Sequence, residues 1–305
     1  MTTSQQVLAA GPRGATTGPT RRRGPRHLHG SDLVWSITFV LPYAAMFLAF
    51  AVYPIGEALW IGGRPSLFAE LIADPVYLPT IANTVIFAGI GVNLKMFLAL
   101  LLSGFFMRRR WWTKPLLAVY VLPWALAGVQ AAISFHWMLI GEPGLIDRLL
   151  SVLFGLDGPA WFGHRWLALV CNIVAYMWKW MPFWTLIFIA GRMAIPPSIL
   201  DAAAIDGASG WRRFVFVTFP LLANLYLVCT LLSAIWMIGE FTTVFFVSGG
   251  GPVHTSEVLA TLGFHYAYDL GDPGLAVAAA ISALPLLIPI LLLLMRSLET
   301  REVRL

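Results

Sequence analysis

Residues 201–220 read DAAAIDGASGWRRFVFVTFP, a charged stretch between two long apolar segments of the chain. Its alanines predict a short helix over Asp201–Ile205, with Ser198 as the N-cap, and Gly207 suits the tight turn that ends it. A second short helix is expected between this turn and Pro220, which opens the next apolar segment. The stretch therefore predicts two short helices that meet at a glycine, outside the apolar part of the protein.

The composition is that of a membrane protein. Of 305 residues, 59% are hydrophobic and 11% are charged, and the mean hydropathy is +0.78, whereas soluble domains are roughly 45–50% apolar and about 25% charged. The pI of about 9.5 does not require nucleic-acid binding, because Lys and Arg concentrate in the cytoplasmic loops of membrane proteins. We expect a polytopic protein in contact with membrane lipid that binds no nucleic acid.

Six apolar segments are long enough to cross the hydrocarbon core of a bilayer, which takes roughly 20 helical residues. The chain is therefore predicted to be an all-α membrane protein with six transmembrane helices. The six segments are approximately 33–59, 80–107, 116–140, 166–190, 219–247 and 274–295.

The ends of the chain differ in composition from this apolar part. Residues 1–31 are rich in Gly, Pro, Thr and Arg without apolar periodicity, and they are expected to form a disordered cytoplasmic tail. The first apolar segment is long enough to span, so it is not expected to be a cleaved signal. The transmembrane domain is predicted over 32–298, with its charged cytoplasmic loop at 192–219, and a short C-terminal tail over 299–305.

The basic residues predict the orientation of these segments, since they favour the cytoplasmic side. Fifteen of the twenty Lys and Arg residues lie in the N-terminal tail, in the second-to-third and fourth-to-fifth connections, and after the sixth segment. The opposite connections contain only Arg64, Arg148 and Arg165. Both termini and the 201–220 stretch are therefore expected in the cytoplasm.

The 201–220 stretch resembles the EAA loop of permease subunits in bacterial ABC importers. That pattern is E-A-A, three residues, G, nine residues and I-x-L-P, and here the spacing is intact, with Asp for Glu, Val for Ile and Phe for Leu. In that family the loop docks a cytoplasmic ATPase subunit. The resemblance implies that ATPase coupling is carried by Asp201, Ala202, Ala203, Asp206, Gly207 and Pro220.

Weaker motifs along residues 80–295 resemble the carbohydrate-uptake branch of these importers, the type seen for maltose, trehalose and glycerol phosphate. They include Asn83-Thr84, Leu122-Pro123-Trp124, Pro182-Phe183, Ser248-Gly249-Gly250-Gly251-Pro252 and Gly274-Leu275-Ala276. The resemblance implies a permease subunit that forms the path of a sugar or sugar-like solute through the bacterial inner membrane. It also implies three kinds of partner: a second homologous permease, two copies of an ATPase subunit and an extracytoplasmic solute-binding protein.

Polar and aromatic residues inside the fourth and fifth segments are candidates for the solute path, because polar groups within spans usually face the bundle interior or a water-filled cavity. Helical spacing predicts one face with Ser233, Met237 and Glu240. A stripe on the fourth segment adds Tyr176, Lys179, Trp180, Phe183 and Trp184. The alternative is ordinary helix packing of the aromatic residues, with an internal ion pair between Lys179 and Glu240. Lys95, in the second segment, has no assigned role.

The chain is not expected to be an enzyme. It has no GxxxxGK[ST] phosphate loop, so ATP hydrolysis is assigned to the partner ATPase. Cys171 and Cys229 lie inside apolar segments, where buried thiols are ordinary packing residues, and no metal site or cofactor is expected.

Two other classes of protein have part of this pattern. Gly207-Ala208-Ser209-Gly210 matches the GxSG of rhomboid intramembrane proteases, but this serine lies in a charged loop, and the sixth segment contains no histidine. A stand-alone secondary transporter or channel would also fit six spans with intramembrane charges. It would not require the charged cytoplasmic loop, so this class remains the alternative.

The predicted orientation is tested by cysteine labelling in intact cells, using a variant in which Cys171 and Cys229 are replaced by alanine. Single cysteines in the 141–165 and 248–273 connections should react with an impermeant maleimide. Single cysteines at 108–114 and 201–213 should react only after the membrane is permeabilised. Labelling of residue 206 from outside would contradict the orientation and the docking of an ATPase together.

Overall fold

The computed structural model describes residues 30–302 apart from 109, 142 and 143. Most of the expected N-terminal tail and the last three residues of the chain lie outside this part, although Gly30 already belongs to the first helix. The described residues are α-helical or lie in turns, with four short π-helical segments and no strand. The chain divides into two compact units, Met1–Ile55 and Gly56–Leu305.

The helices alternate between long segments and short connecting ones. The α-helices are α1 Gly30–Phe47, α2 Tyr53–Gly62, α3 Pro65–Ala73, α4 Tyr77–Ile86, α5 Asn93–Phe106, α6 Thr113–Ala125, α7 Gly128–Leu139, α8 Leu145–Phe154, α9 Arg165–Met193, α10 Pro197–Ile205, α11 Gly210–Arg213, α12 Phe219–Ile238, α13 Thr242–Val247, α14 Leu259–Phe264, α15 Pro273–Ile281 and α16 Leu284–Glu302. The π-helical segments are Leu48–Val52, Phe87–Val92, Phe214–Thr218 and His265–Asp269.

Five continuous helical segments are long and apolar enough to cross a membrane, and a bent pair could supply a sixth span. Four of the five agree with predicted segments to within a few residues: Val34–Gly62, Tyr77–Phe106, Arg165–Met193 and Pro273–Ser297. The structure thus confirms an all-helical membrane protein with five or six spans.

The third predicted segment, 116–140, is wrong as one straight helix. It is two helices, α6 and α7, that meet at an angle of 99°. Leu126 and Ala127 between them have extended backbone, with ψ of 149° and 142°. Pro123, near the end of α6, lacks an N–H for the helical ladder and weakens the last turn. Apolar content does not report such a break, because both halves are equally apolar.

The fifth predicted segment, 219–247, is wrong at both ends. The helical span runs from Gly210 to Ile238, and the last predicted turns form the separate helix α13. The expected second short helix before Pro220 is the first part of this same span. The π-helical segment Phe214–Thr218 ends two residues before Pro220, and it widens the helix in the turn where the proline has no N–H to donate.

The helix α9 lies at the centre of the second unit. Half of the most apolar 18-residue stretch of Arg165–Met193 is buried. In Pro273–Ser297 only 11% of the corresponding stretch is buried. Its inward side chains pack with those of the second span and of α12 in one core, which includes Phe87, Met96, Leu169, Trp184 and Met237. Cys171 and Cys229 are buried, as predicted, and neither forms a disulfide. The candidate path residues on α9 and α12 are therefore held in the best-packed part of the protein.

Candidate functional site

The cytoplasmic loop predicted from 201–220 begins with the helix α10. This helix starts at Pro197, whose fixed φ suits a first helical position. Ser198 was expected as its N-cap, but it lies inside the helix, and no side chain caps the start. Asp201 consequently lies in the second turn, so the expected interaction with the N-terminal end of the helix dipole is not available.

Gly207 ends α10 as predicted. Its φ is +76°, in the left-handed region that favours glycine. The backbone N–H of Ala208 donates to Ala203 O at 2.8 Å, and that of Gly207 donates to Ala204 O at 3.1 Å. These two bonds form a Schellman motif, which satisfies the last carbonyls of the helix and turns the chain sharply.

The end of α10 presents an unusual surface for a helix in water. Ile205 is 87% exposed, and Asp201, Ala202, Asp206 and Gly207 are also exposed, whereas Ala203 packs inward. An isolated exposed leucine or isoleucine is common on proteins. Here, however, the side chain is at the tip of a rigid turn, flanked by small residues and two carboxylates. Pro220 lies apart from this surface, inside the fifth span.

Arg192, at the start of the loop, connects it to the second span. Its guanidinium donates to Ser103 Oγ at 2.7 Å and to Leu100 O at 3.0 Å. The same guanidinium lies 5.6 Å from the ring of Phe214. Arg192 thus joins the start of the loop to the end of the second span and to the start of the fifth.

The candidate path residues Tyr176 and Ser233 meet around Lys95, a residue that the sequence analysis left without a role. The Lys95 ammonium donates to Tyr176 Oη at 3.0 Å and to Ser233 Oγ at 2.7 Å. It also lies 4.2 Å from the Tyr176 ring centre and 5.8 Å from that of Trp184. Lys95 is 1% exposed. A lysine inside a predicted span was the available signal, because intramembrane charges usually have a function.

The aromatic stripe of α9 is likewise completed by a residue that the sequence analysis missed. Trp236 of α12 lies with its ring centre 5.9, 5.8 and 5.5 Å from those of Trp180, Phe183 and Trp184. Phe183 also stacks on Trp124 at 5.5 Å. Trp124 and Trp236 are 40% and 44% exposed, so this cluster extends from the buried core to the surface of the chain.

Lys179 has a structural position that sequence could not indicate. Its ammonium donates to Pro123 O and Trp124 O, each at 3.0 Å, and to Leu126 O. These are the carbonyls left free where α6 ends at the bend. Cations stabilise the C-terminal end of a helix, because it has partial negative charge and unpaired carbonyls. Lys179 therefore supports the bend in the third segment.

Glu240 does not share a helical face with Ser233 and Met237, because it follows the end of the fifth span. Its Oε1 accepts from the Thr243 backbone N–H at 2.9 Å and from Thr243 Oγ1 at 2.8 Å. It thus caps the start of α13. Within the described part of the chain, no ion pair joins it to Lys179, so the alternative explanation of these two charges is wrong. Both residues border one small cavity of about 90 Å³.

The support of the bend by Lys179 predicts a stability effect. Lys179→Met should lower the free energy of unfolding by about 2 kcal/mol, because leaving a buried polar group without a partner costs roughly 1–3 kcal/mol. The thermal midpoint of the purified chain in detergent measures this. Lys114→Met, at an exposed lysine near the start of α6, is the matched control and should leave the midpoint unchanged.

The same measurement separates this role from an ion pair. If Lys179 and Glu240 were partners, the double variant Lys179→Met with Glu240→Gln would recover part of the lost stability. We expect the two effects to add, since each side chain bonds to a different group. Recovery of the midpoint in the double variant would contradict the capping role.

Known proteins are similar to this chain over most of its length. The sequence model of the family described as "Binding-protein-dependent transport system inner membrane component" matches residues 95–303. The trehalose/maltose transport system permease protein MalF of Thermococcus litoralis is 30% identical over 256 residues, which cover 79% of this chain and 86% of that protein. The sulfoquinovosyl glycerol transport system permease protein SmoG of Agrobacterium fabrum is 27% identical, over 92% of this chain and 95% of that protein.

A solved structure shares the fold. It is a bacterial ABC transporter involved in the import of the acidic polysaccharide alginate, and one of its chains superposes with a TM-score of 0.74 at 20% sequence identity. The superposition covers 88% of this chain and 95% of that chain. The two chains therefore share a fold over most of their length.

Proposed function

Because the chain belongs to the family of binding-protein-dependent transport system inner membrane components, we propose that it is the membrane-spanning permease subunit of an ATP-driven importer for a sugar or sugar-like solute. The carbohydrate class is supported by the relatives, whose names specify trehalose, maltose and sulfoquinovosyl glycerol. The observation that carries the coupling mechanism is the exposed, rigid end of α10. A stand-alone transporter or channel would have no use for it.

In this proposal, α10 and its glycine turn fit into a groove of a cytoplasmic ATPase subunit. Ile205 supplies an apolar contact, the alanines allow close approach, and Asp201 and Asp206 fix the orientation by charge. A second homologous permease completes the membrane domain, each permease engages one of two ATPase copies, and a solute-binding protein delivers the solute from outside. The chain itself is not an enzyme in this arrangement, and both of its termini lie in the cytoplasm.

In this proposal, motion of the docking turn is transmitted along the fifth span, which is one continuous helical segment. The span from Gly210 to Ile238 begins beside the docking turn and reaches Ser233, which accepts a hydrogen bond from Lys95. At a rise of about 1.5 Å per residue, a displacement at the loop would be transmitted roughly 35 Å along one rigid element. Arg192 provides a second connection, to the end of the second span.

The solute contacts proposed on this path are Lys95, Tyr176, Ser233 and the aromatic cluster around Trp236. Sugars combine hydroxyl groups with apolar ring faces, so hydrogen-bonding groups beside aromatic rings suit them. Glu240 and Lys179 border the neighbouring cavity but are engaged in bonds to backbone. We therefore place them beside the path as structural residues.

Docking predicts a loss of ATPase coupling that a loss of stability does not explain. Ile205→Asp removes an exposed apolar side chain, so the chain should fold and insert normally, while the ATPase is lost on purification or its activity no longer depends on solute. Gly207→Val should add a backbone cost of about 1 kcal/mol and have the same effect on docking. Co-purification and solute-stimulated ATP hydrolysis in proteoliposomes measure both variants.

The chain offers matched controls for these two substitutions. Gly155 also ends a helix with positive φ, +64°, and nothing lies within 4 Å of an added Cβ at either glycine. Gly155→Val should therefore share the stability cost and keep the ATPase. Val152 on α8 is 75% exposed, and Val152→Asp controls for Ile205→Asp. Normal ATPase binding and coupled transport in both loop variants would remove α10 from the coupling role.

The proposed solute path predicts an affinity change. Lys95→Met preserves the length of the side chain but removes three donors, so the solute concentration for half-maximal uptake should rise by about 10-fold, as expected for loss of about 1.4 kcal/mol. Uptake of maltose, trehalose and glycerol 3-phosphate into proteoliposomes of the full importer provides the measurement. Lys114→Met is the control. A larger loss for glycerol 3-phosphate would indicate selection of an anion, and unchanged uptake with an intact complex would exclude Lys95 from the path.

A further inference from the structure

The connection between the fifth and sixth spans brings three potential metal ligands together. His254, Glu257 and His265 each place one ligand atom so that all three atoms lie within 4.8 Å of one another. The sequence analysis predicted no metal site. The sequence shows only His-x-x-Glu at 254–257 followed by His265. This spacing alone does not distinguish a metal site from ordinary loop residues. The structure folds the loop back onto the helix that follows it.

Each histidine is oriented by a carboxylate. His265 Nδ1 lies 2.8 Å from Asp269 Oδ2, which leaves Nε2 of that ring free for another bond. His254 Nδ1 lies 2.6 Å from Glu257 Oε1. The two imidazole rings are close, with centres 4.1 Å apart and planes inclined by 34°.

Glu257 provides a second observation that points to a ligand. Its side chain is only 4% exposed, and its Oε2 is a buried oxygen without a hydrogen-bond partner. A buried carboxylate oxygen without a donor costs free energy unless a cation or a proton satisfies it.

The backbone around Glu257 is fixed by the transmembrane part of the protein. Asn83, which is fully buried, donates to Glu257 O and to Thr255 O, each at 2.8 Å. Thr84 Oγ1 accepts from the Leu259 backbone N–H at 3.0 Å. Ser256 Oγ donates to Gly251 O at 2.6 Å. The backbone that carries Glu257 is therefore fixed independently of any ligand, which favours a preorganised metal site.

We propose that His254, Glu257 and His265 form a binding site for a divalent transition-metal ion, with zinc as the best match. Two imidazoles and one carboxylate are a common protein ligand set for zinc, and water completes the four positions. Calcium and magnesium prefer oxygen ligands throughout. Asp269 is the positioning residue, since a carboxylate on the other ring nitrogen of a metal-bound histidine fixes its orientation.

The ion would replace the direct hydrogen bond between His254 and Glu257 and supply the missing partner of Oε2. It would also join the loop after α13 to the helical segment His265–Asp269, which precedes the sixth span. This crosslink is independent of the proposed transport function, because it concerns only the folding of one connection. On the orientation proposed above, the site faces the extracytoplasmic side.

The test is zinc binding by the full chain, purified in detergent with a histidine-free tag. His27 and His29 are replaced by glutamine in every sample, so that the N-terminal tail contributes no ligand. After treatment with EDTA, isothermal titration with ZnCl₂ should show one equivalent per chain. His254→Gln and His265→Gln should each weaken binding at least 10-fold, and Asp269→Asn should weaken it by about 10- to 100-fold. MgCl₂ should give no binding.

Matched controls keep the result interpretable. His164→Gln changes an exposed histidine outside the cluster and should leave binding unchanged. Zinc should raise the thermal midpoint of wild type and of His164→Gln but not of the His254→Gln/His265→Gln double variant, and the EDTA-treated forms should melt alike. Cobalt substitution should give visible absorption bands that the double variant lacks. Zinc binding by wild type no tighter than by the double variant would overturn the proposal.

Discussion

A membrane allows no backbone carbonyl in its hydrocarbon to remain without a partner, and this constraint accounts for much of the second unit. The break between α6 and α7 frees carbonyls at Pro123, Trp124 and Leu126, and the ammonium of Lys179 satisfies all three. A lysine and a bend that each look costly alone are stable together. The same logic explains Glu240, whose carboxylate accepts the free N–H at the start of α13. Lys179 and Glu240 thus each supply a hydrogen-bond partner to backbone groups at the end of a helix.

Lys95 is the buried charge that we propose as a solute contact. It bonds to neutral oxygens on two other spans and lies beside aromatic rings. In the proposed path, a solute hydroxyl would replace Tyr176 or Ser233 as an acceptor of the ammonium. Since Ser233 belongs to the helix that begins at Gly210, movement of the cytoplasmic end would change the geometry around the ammonium. Coupling and solute binding are then two ends of one helix.

The connection between the fifth and sixth spans is stabilised by side chains of the second span. Asn83 and Thr84 of the second span hold the backbone of the loop at Thr255, Glu257 and Leu259. Motifs that are far apart in the sequence, Asn-Thr near the start of the second span and the Gly-rich loop after the fifth, are thus parts of one hydrogen-bonded unit. The cluster of His254, Glu257 and His265 depends on this support.

The sequence by itself determined the membrane class, four of the spans, the glycine turn at Gly207 and the stretch that resembles a family-specific loop. These features are local: a span needs only a run of apolar residues, and a left-handed turn needs only a glycine at a helix end. The tertiary structure alone decided the bend after α6, the partners of Lys95 and Lys179, the role of Glu240 and the histidine cluster. Each of these depends on which side chains meet after packing, and Lys95 and Ser233 are 138 residues apart. Hydropathy and spacing describe one segment at a time, so they cannot specify a contact between segments.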